Sequence, residues 1–570
     1  MSDDRLIIYQ VFPRLLTNLN KACIPSGTLE QNGSGKFNHY TPELLASIAG
    51  LGVNAVWYTG VLEMATKTDF SKYGIQSDNP HVVKGEAGSP YAIKDYYDVS
   101  PALAENVYNR LQEFEALVRR THEAGLKCII DFVPNHTARQ YHSDKAPEGI
   151  KDFGADDDTT MRFSTANDYY YITNQQFAPQ SDISSYPAYI EFPAKATGND
   201  CFSAFPSMND WYETVKLNYG HDYESGQIHS YPVPALWKKM VHILRYWLAR
   251  GVDGFRCDMV HMVPLEFWHW ALETVRKDYP NAIFIGEIYD IGQYRPYINY
   301  GGFNYLYDKV GLYDTIFGIE KHNFSAARLT GCWQSLEGIS NNMLNFLENH
   351  DEVRFGSPAF GGNPLAVTPA LVVSAMFSSG PYMIYFGQEA GECGQDAEGF
   401  SGHNDRTTIF DYWSYESMRR LVTDNLTQQQ KWLKHLYTRV LTMCNSEPAL
   451  RHGSFFDLMY VNLSHPGFNP HSQFAFLRYA PAQTLLIVAN FADTSSSCSV
   501  RIPELAFNMM HIAPGEKLRL TDLLSGITME ADLTPDGETL LELPAKGALV
   551  LSLPQPGTAS ENIEQSQPQP

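Results

Sequence analysis

At 570 residues the chain exceeds one small domain and fits a barrel of about 250 residues or more with satellite domains. Its formal charge of −22, from 64 acidic against 42 basic residues, repels phosphate backbones and argues against nucleic acid as a partner. An apolar content of 44% is enough for a large core.

The predicted elements alternate in order. RLIIYQVF (5–12) reads as a strand. PELLASIAGLG (42–52) reads as a helix, followed at once by the strand VNAVWYTG. LQEFEALVRRTHEAGLK (111–127) is helical in spacing, with Gly125 as a stop signal before the strand KCIIDFVPNH. ALWKKMVHILRYWLARG (235–251) places Leu236, Met240, Ile243, Leu244 and Trp247 on one face, and VDGFRCDMV follows it. AIFIGEIYD, MLNFLENHDE and YMIYFGQEAGE complete the series of strands. About eight such units predict an α/β fold, a closed (β/α)8 TIM barrel. No GxGxxG follows the first strand, so an open dinucleotide-binding sheet lacks support.

One unit is interrupted. About a hundred residues rich in Asp, Tyr, Ser, Asn and Pro lie between the third strand and the helix at 235, too many for a plain loop. The expected organisation is a barrel from 1–137 and 216–447, with an inserted small domain after strand 3 at 138–215. Short strands from FAFLRYA to GALVLSLP predict a C-terminal antiparallel β-sandwich over 448–555. The polar Pro/Gln tail 556–570 is expected to be disordered.

The eight cysteines show no CxxC pair or zinc spacing. The start MSDDRLIIYQVFPR lacks the basic and apolar regions of a signal peptide, and no run of about 18 apolar residues occurs. The expectation is a soluble cytoplasmic protein with no membrane partner.

Three carboxylates end apolar runs: Asp258 in GFRCD, Glu287 in AIFIGE and Asp351 in MLNFLENHD. In a barrel the C-terminal strand ends converge on one pocket, so these acids become neighbours. Crowded carboxylates push their pKa values apart, which suits a reaction needing one protonated and one ionised acid, such as glycoside cleavage. Arg256 lies two residues before Asp258, on the same face of the strand, and can hold it ionised. His136 and His350, in Asn135-His136 and His350-Asp351 at strand ends, can donate to hydroxyl groups. A metal-dependent hydrolase using His136, Asp258 and His350 is the competing reading.

DFVPNH (131–136), GFRCDMVHM (254–262), GEIYD (286–290) and FLENHDEVR (346–354) resemble, in order, four motifs of glycoside hydrolase family 13, the α-amylase family. YAIKDYYDV (91–99) resembles the segment that supplies a Tyr platform. The resemblance implies a retaining α-glycosidase acting on starch, glycogen or maltooligosaccharides through a covalent intermediate. It makes Asp258 the nucleophile, Glu287 the acid/base and Asp351 the stabiliser of the distorted sugar. Arg256, His136, His350, Tyr91 and His261 would bind substrate or orient the acids. The alternative is an α-glucanotransferase with the same acids.

No cofactor is required for such chemistry, and no metal ligand set is assigned. Two departures stand out: His261-Met262 replaces the family's common Lys-His, and Lys216 in TVKLNYG (214–220) replaces an expected Asp. A cation at that position disfavours the family's structural calcium. The acidic run GADDDTT (154–160) lacks EF-hand spacing and is expected to be solvated.

Overall fold

The structure, a computed structural model, describes residues 4–179 and 187–555. The predicted tail lies outside the described residues. Eight parallel strands close into a barrel: β1 (Ile7–Val11), β2 (Ala55–Tyr58), β3 (Lys127–Phe132), β4 (Gly254–Cys257), β5 (Ile283–Gly286), β6 (Tyr305–Tyr307), β7 (Met343–Phe346) and β8 (Tyr382–Tyr385). Each pairs with its chain neighbours, and β1 closes the ring against β8. Seven of the strands carry the apolar runs read in the sequence. The eighth, β6, is three residues long, and too short for a periodicity to show.

The strands form because both of their faces are covered. Their residues are almost all buried, which explains continuous apolar runs in place of alternation. The helix Ala235–Leu248 lays Leu236, Met240, Ile243, Leu244 and Trp247 against the barrel. Each such side chain contributes about 1.5–3 kcal/mol on burial. The Trp247 indole N–H also donates to Tyr96 O at 2.8 Å, so its polar end is satisfied inside the core.

Register places the chemistry. Arg256 on β4 stands beside Asp131 on β3. Gln10 on β1 stands beside Trp57 on β2 and Tyr385 on β8. These polar side chains point into the upper barrel, where an apolar layer would otherwise be expected.

Between Phe132 and Ala235 the chain leaves the barrel. Its neck is an antiparallel pair in which His136–Ala138 meets Thr214–Lys216, with His136 opposite Lys216. Inside this excursion Phe177, Ala194, Ala204 and Tyr212 form a small separate core, joined by Val82 from the loop after β2. The buried Arg139 supports it, donating to Tyr212 O (2.5 Å) and Glu191 Oε1 (2.7 Å) with its guanidinium 3.6 Å from the Phe177 ring centre. After the barrel, six antiparallel strands form one sheet and two more, Ser496–Arg501 and Glu538–Leu543, form a second, as a β-sandwich requires. The eight cysteines are unpaired. Among the described residues no helix is long and apolar enough to cross a membrane.

Candidate active site

A cavity of about 310 Å³ opens at the C-terminal mouth of the barrel. Asp258, Glu287 and Asp351 all line it, with Tyr91 and His136. Asp258 follows β4 directly, and Glu287 follows β5. Asp351 stands five residues beyond β7, on a turn braced from below. There Asn349 Oδ1 accepts from the amides of Asp351 (2.8 Å) and Glu352 (2.9 Å), and the buried Arg354 pairs with Glu348 at 2.9 Å.

Arg256 organises the acids. Its guanidinium is fully buried, donates from Nη1 to Asp258 Oδ1 at 2.7 Å, and carries Nη2 2.8 Å from Glu287 Oε2. The second contact is an ion pair without hydrogen-bond alignment. Nη1 also lies 3.6 Å from Asp131 Oδ1, and Nε donates to the Tyr307 hydroxyl at 3.2 Å. Trp57, Tyr91 and Tyr307 present their rings about the same guanidinium. A charge buried this deeply is tolerated because carboxylates surround it.

The acids differ in electrostatics. Burial, then repulsion from Glu287, raises the Asp258 carboxyl well above the carboxylate range, against the pull of Arg256. Crowding beside Glu287 thus works against ionisation of Asp258, and Arg256 works for it. For Asp351, burial acts upward, but His350, Arg256 and Arg406 together outweigh it and bring the carboxyl to about 2. Glu287 is fixed at both oxygens: the Met259 amide donates to Oε2 (2.8 Å) and the Tyr289 hydroxyl to Oε1 (2.6 Å). Met259 holds a left-handed φ of +43°, a conformation that costs a side-chain-bearing residue about 1–2 kcal/mol and here aims its N–H at the acid.

The histidines divide. His136 lines the cavity against Trp211; burial, then Lys216, lowers it to about 3, so the ring is neutral at neutral pH. Asn135 Nδ2 donates to its Nδ1, which leaves the proton on Nε2. His350 lies behind the cavity wall. Gln10 Nε2 donates to its Nδ1 at 2.9 Å, and its Nε2 faces the Tyr91 hydroxyl (2.5 Å) and Asp351 Oδ2 (3.0 Å). Tyr91 stacks on His350 and presents its other side to the cavity. His261 is exposed on the turn Val260–Met262, its ring centre 6.4 Å from that of Tyr289 and away from the cavity lining.

Sequence reasoning missed several members of the site. Asp131 accepts from the Trp57 indole (3.1 Å) and the Tyr91 hydroxyl (3.4 Å), and its place in DFVPNH was a usable signal. Tyr289 stands two residues after Glu287 in GEIYD, which was another. Trp211, Lys84, Glu213, Ile409 and Phe410 line the cavity from loops with no local signature.

Lys216 decides the calcium question at the neck. Its buried ammonium lies 2.5 Å from Asn135 Oδ1, 2.7 Å from Asp200 Oδ1 and 3.1 Å from Met262 O. These are oxygen donors of the type calcium takes, and the ammonium stands among them. The residues do not fit a divalent ion there.

Comparison with known proteins decides the family. Residues 11–442 match the family model described as Alpha amylase, catalytic domain. The chain belongs to the α-amylase family of glycoside hydrolases. A cyclomaltodextrinase of Bacillus sp is 23% identical over 508 residues, covering 85% of this chain and 72% of that one. Among solved structures, the maltogenic α-amylase AmyB from Thermotoga neapolitana has a TM-score of 0.60 at 18% identity, covering 96% of this chain and 98% of the other. AmyP in complex with maltose has a TM-score of 0.64 at 17% identity, with 97% of each chain covered. At such identities the solved structures establish the fold alone. The family membership makes this chain a glycosidase.

Proposed function

We propose that this chain hydrolyses α-1,4-glucosidic bonds of starch, glycogen or maltooligosaccharides with retention of configuration, through a covalent glycosyl–enzyme intermediate. The observation that carries the reading is the sharing of one guanidinium fork by Asp258 and Glu287, at 2.7 and 2.8 Å. That arrangement favours the spacing of about 5–5.5 Å at which one carboxylate reaches the sugar directly. The wider gap of about 6.5–9.5 Å that admits an attacking water between the acids is harder to reconcile with it.

Asp258, held by Arg256, attacks the anomeric carbon. Glu287 protonates the leaving glycosidic oxygen, and then removes a proton from the incoming water. Asp351, ionised across the neutral range beside His350, accepts from the hydroxyls of the sugar as its ring flattens. Tyr91 offers a face to the same ring, and neutral His136 donates from Nε2 to one of its hydroxyls. His350 fixes Tyr91 and Asp351 from behind. A relative named as a cyclomaltodextrinase, and the solved complex of AmyP with maltose, support the substrate class.

Incubation with maltotriose, followed by proton NMR in the first minutes, tests the reading. Retaining hydrolysis releases the α-anomer first, without growth of longer chains. An initial β-anomer contradicts retention. Net chain growth shows that a sugar hydroxyl, and not water, resolves the intermediate, and assigns transfer.

A further inference from the structure

The cavity has one laced side. Lys84, on the loop after β2, pairs with Glu213 of the excursion after β3 at 2.9 Å, with side chains only 12% and 6% exposed. Both residues line the cavity. The same loop after β2 is stitched to the segment after β8, where the Ala87 amide donates to Phe410 O at 3.0 Å. Gly85 sits at φ +64°, and a Cβ there would lie 2.2 Å from Phe410 O, so the two backbones meet without a gap. Arg14 anchors the neighbouring carbonyl, donating to Ile409 O at 2.6 Å.

Position in the ring gives this wall its meaning. The three segments follow β8, β2 and β3, which with β1 form one arc of the barrel, whereas Glu287 follows β5 on the other side. Glu287 serves the leaving group, so the laced arc faces the sugar that is retained. The wall is also chemically primed. Glu213 Oε2 is buried and has no hydrogen-bond partner, although its carboxylate borders the cavity. A buried acceptor left unpaired is costly, and a ligand hydroxyl would satisfy it. The volume of about 310 Å³ lies at the lower end of the range of about 300–1,000 Å³ for ligand pockets.

We propose that the Lys84–Glu213 pair closes the glycone end of the cavity and binds the free hydroxyls of a non-reducing-end sugar, so that the enzyme removes short units from chain ends. This inference rests on the α-glucan hydrolase reading. A polymer passing through the site would have to part Lys84 from Glu213 and the 85–87 backbone from Phe410. A chain end meets an ammonium donor and a carboxylate acceptor.

The test compares two chromogenic maltooligosaccharides, identical except that one carries a benzylidene acetal on its terminal non-reducing hydroxyls. The wild type is expected to cleave the open substrate at least about 100-fold faster, since a site built for a hydroxyl rejects an analogue that lacks it. Lys84→Ala combined with Glu213→Ala is expected to bring that ratio below about tenfold. Where the double variant fails to fold, Lys84→Met with its partly exposed side chain replaces it, with the same direction expected. Equal cleavage of both substrates by the wild type overturns the proposal, as does a folded variant that keeps the wild-type ratio. Cleavage of neither substrate sinks the hydrolase reading itself, and this inference with it.

Discussion

Arg256 faces Asp258, Glu287 and Asp131 from inside the barrel, and each of them depends on its charge. Arg256→Met would leave buried carboxylates uncompensated, a change that costs about 3–5 kcal/mol. The expected result is a large drop in the thermal midpoint together with loss of activity; a variant as stable as the wild type would contradict the account. Asp258 behaves in the opposite sense. Its folded-state pKa is raised by burial and by Glu287, so its ionisation opposes folding. That penalty is absent below the unfolded value of about 3.9 and grows as pH rises above it. Asp258→Asn is therefore expected to unfold at least about 2 °C higher than the wild type at pH 7, with the gain shrinking toward pH 3. Calorimetry across that range checks it, and a constant or negative difference contradicts it. The three acids and Arg256 were legible because each ends or follows an apolar run. Lys84 was not, since what makes it functional is a neighbour brought in by folding.

At the scale of elements, the neck of the excursion joins three parts. Lys216 on one neck strand ties Asn135 at the β3 exit, Asp200 of the excursion and Met262 on the loop after β4. The substitution visible in TVKLNYG thus reads as a replacement of the metal by a side chain. Chelation with EDTA is expected to leave both the thermal midpoint and activity unchanged. Lys216→Met is expected to cost about 1–3 kcal/mol for each oxygen left without a donor. A midpoint that falls with EDTA and recovers with calcium would contradict this assignment. The acidic run 154–160 differs from its expected solvated state. Asp157 accepts from the amides of Asp168 and Tyr169 and from the Tyr171 hydroxyl, so it staples the loop, while Asp156 stays exposed beside Lys151. Charge density in the sequence could not separate those two neighbours, because only the fold decides which one turns inward. The short β6 escaped for a related reason. Three residues carry no period, yet β6 supplies Tyr307 to Arg256.

Across the whole molecule, barrel and sandwich meet through a buried cation. Arg478 donates to Phe377 O (3.3 Å) and the Ser379 hydroxyl (2.5 Å) on the barrel side and to Ala449 O (3.2 Å) and Gly453 O (2.8 Å) beside the sheet. Burial, then Arg5, lowers it to about 9. The closed barrel was legible because serial helix–strand units permit few other folds. The interface was not, since one Arg in a strand gives no sign of its distant acceptors. The fold matters to function through convergence: residues as distant as Gln10 and Asp351 meet at one mouth. In the proposed mechanism Asp258 forms the covalent intermediate. A fluorinated glucosyl fluoride, which slows turnover of that intermediate, followed by proteolysis and mass spectrometry, tests it most directly. A glucosyl adduct is expected on the peptide containing Asp258, and none in Asp258→Asn. An adduct on another acid, or hydrolysis of the reagent with inversion and no adduct, would contradict it.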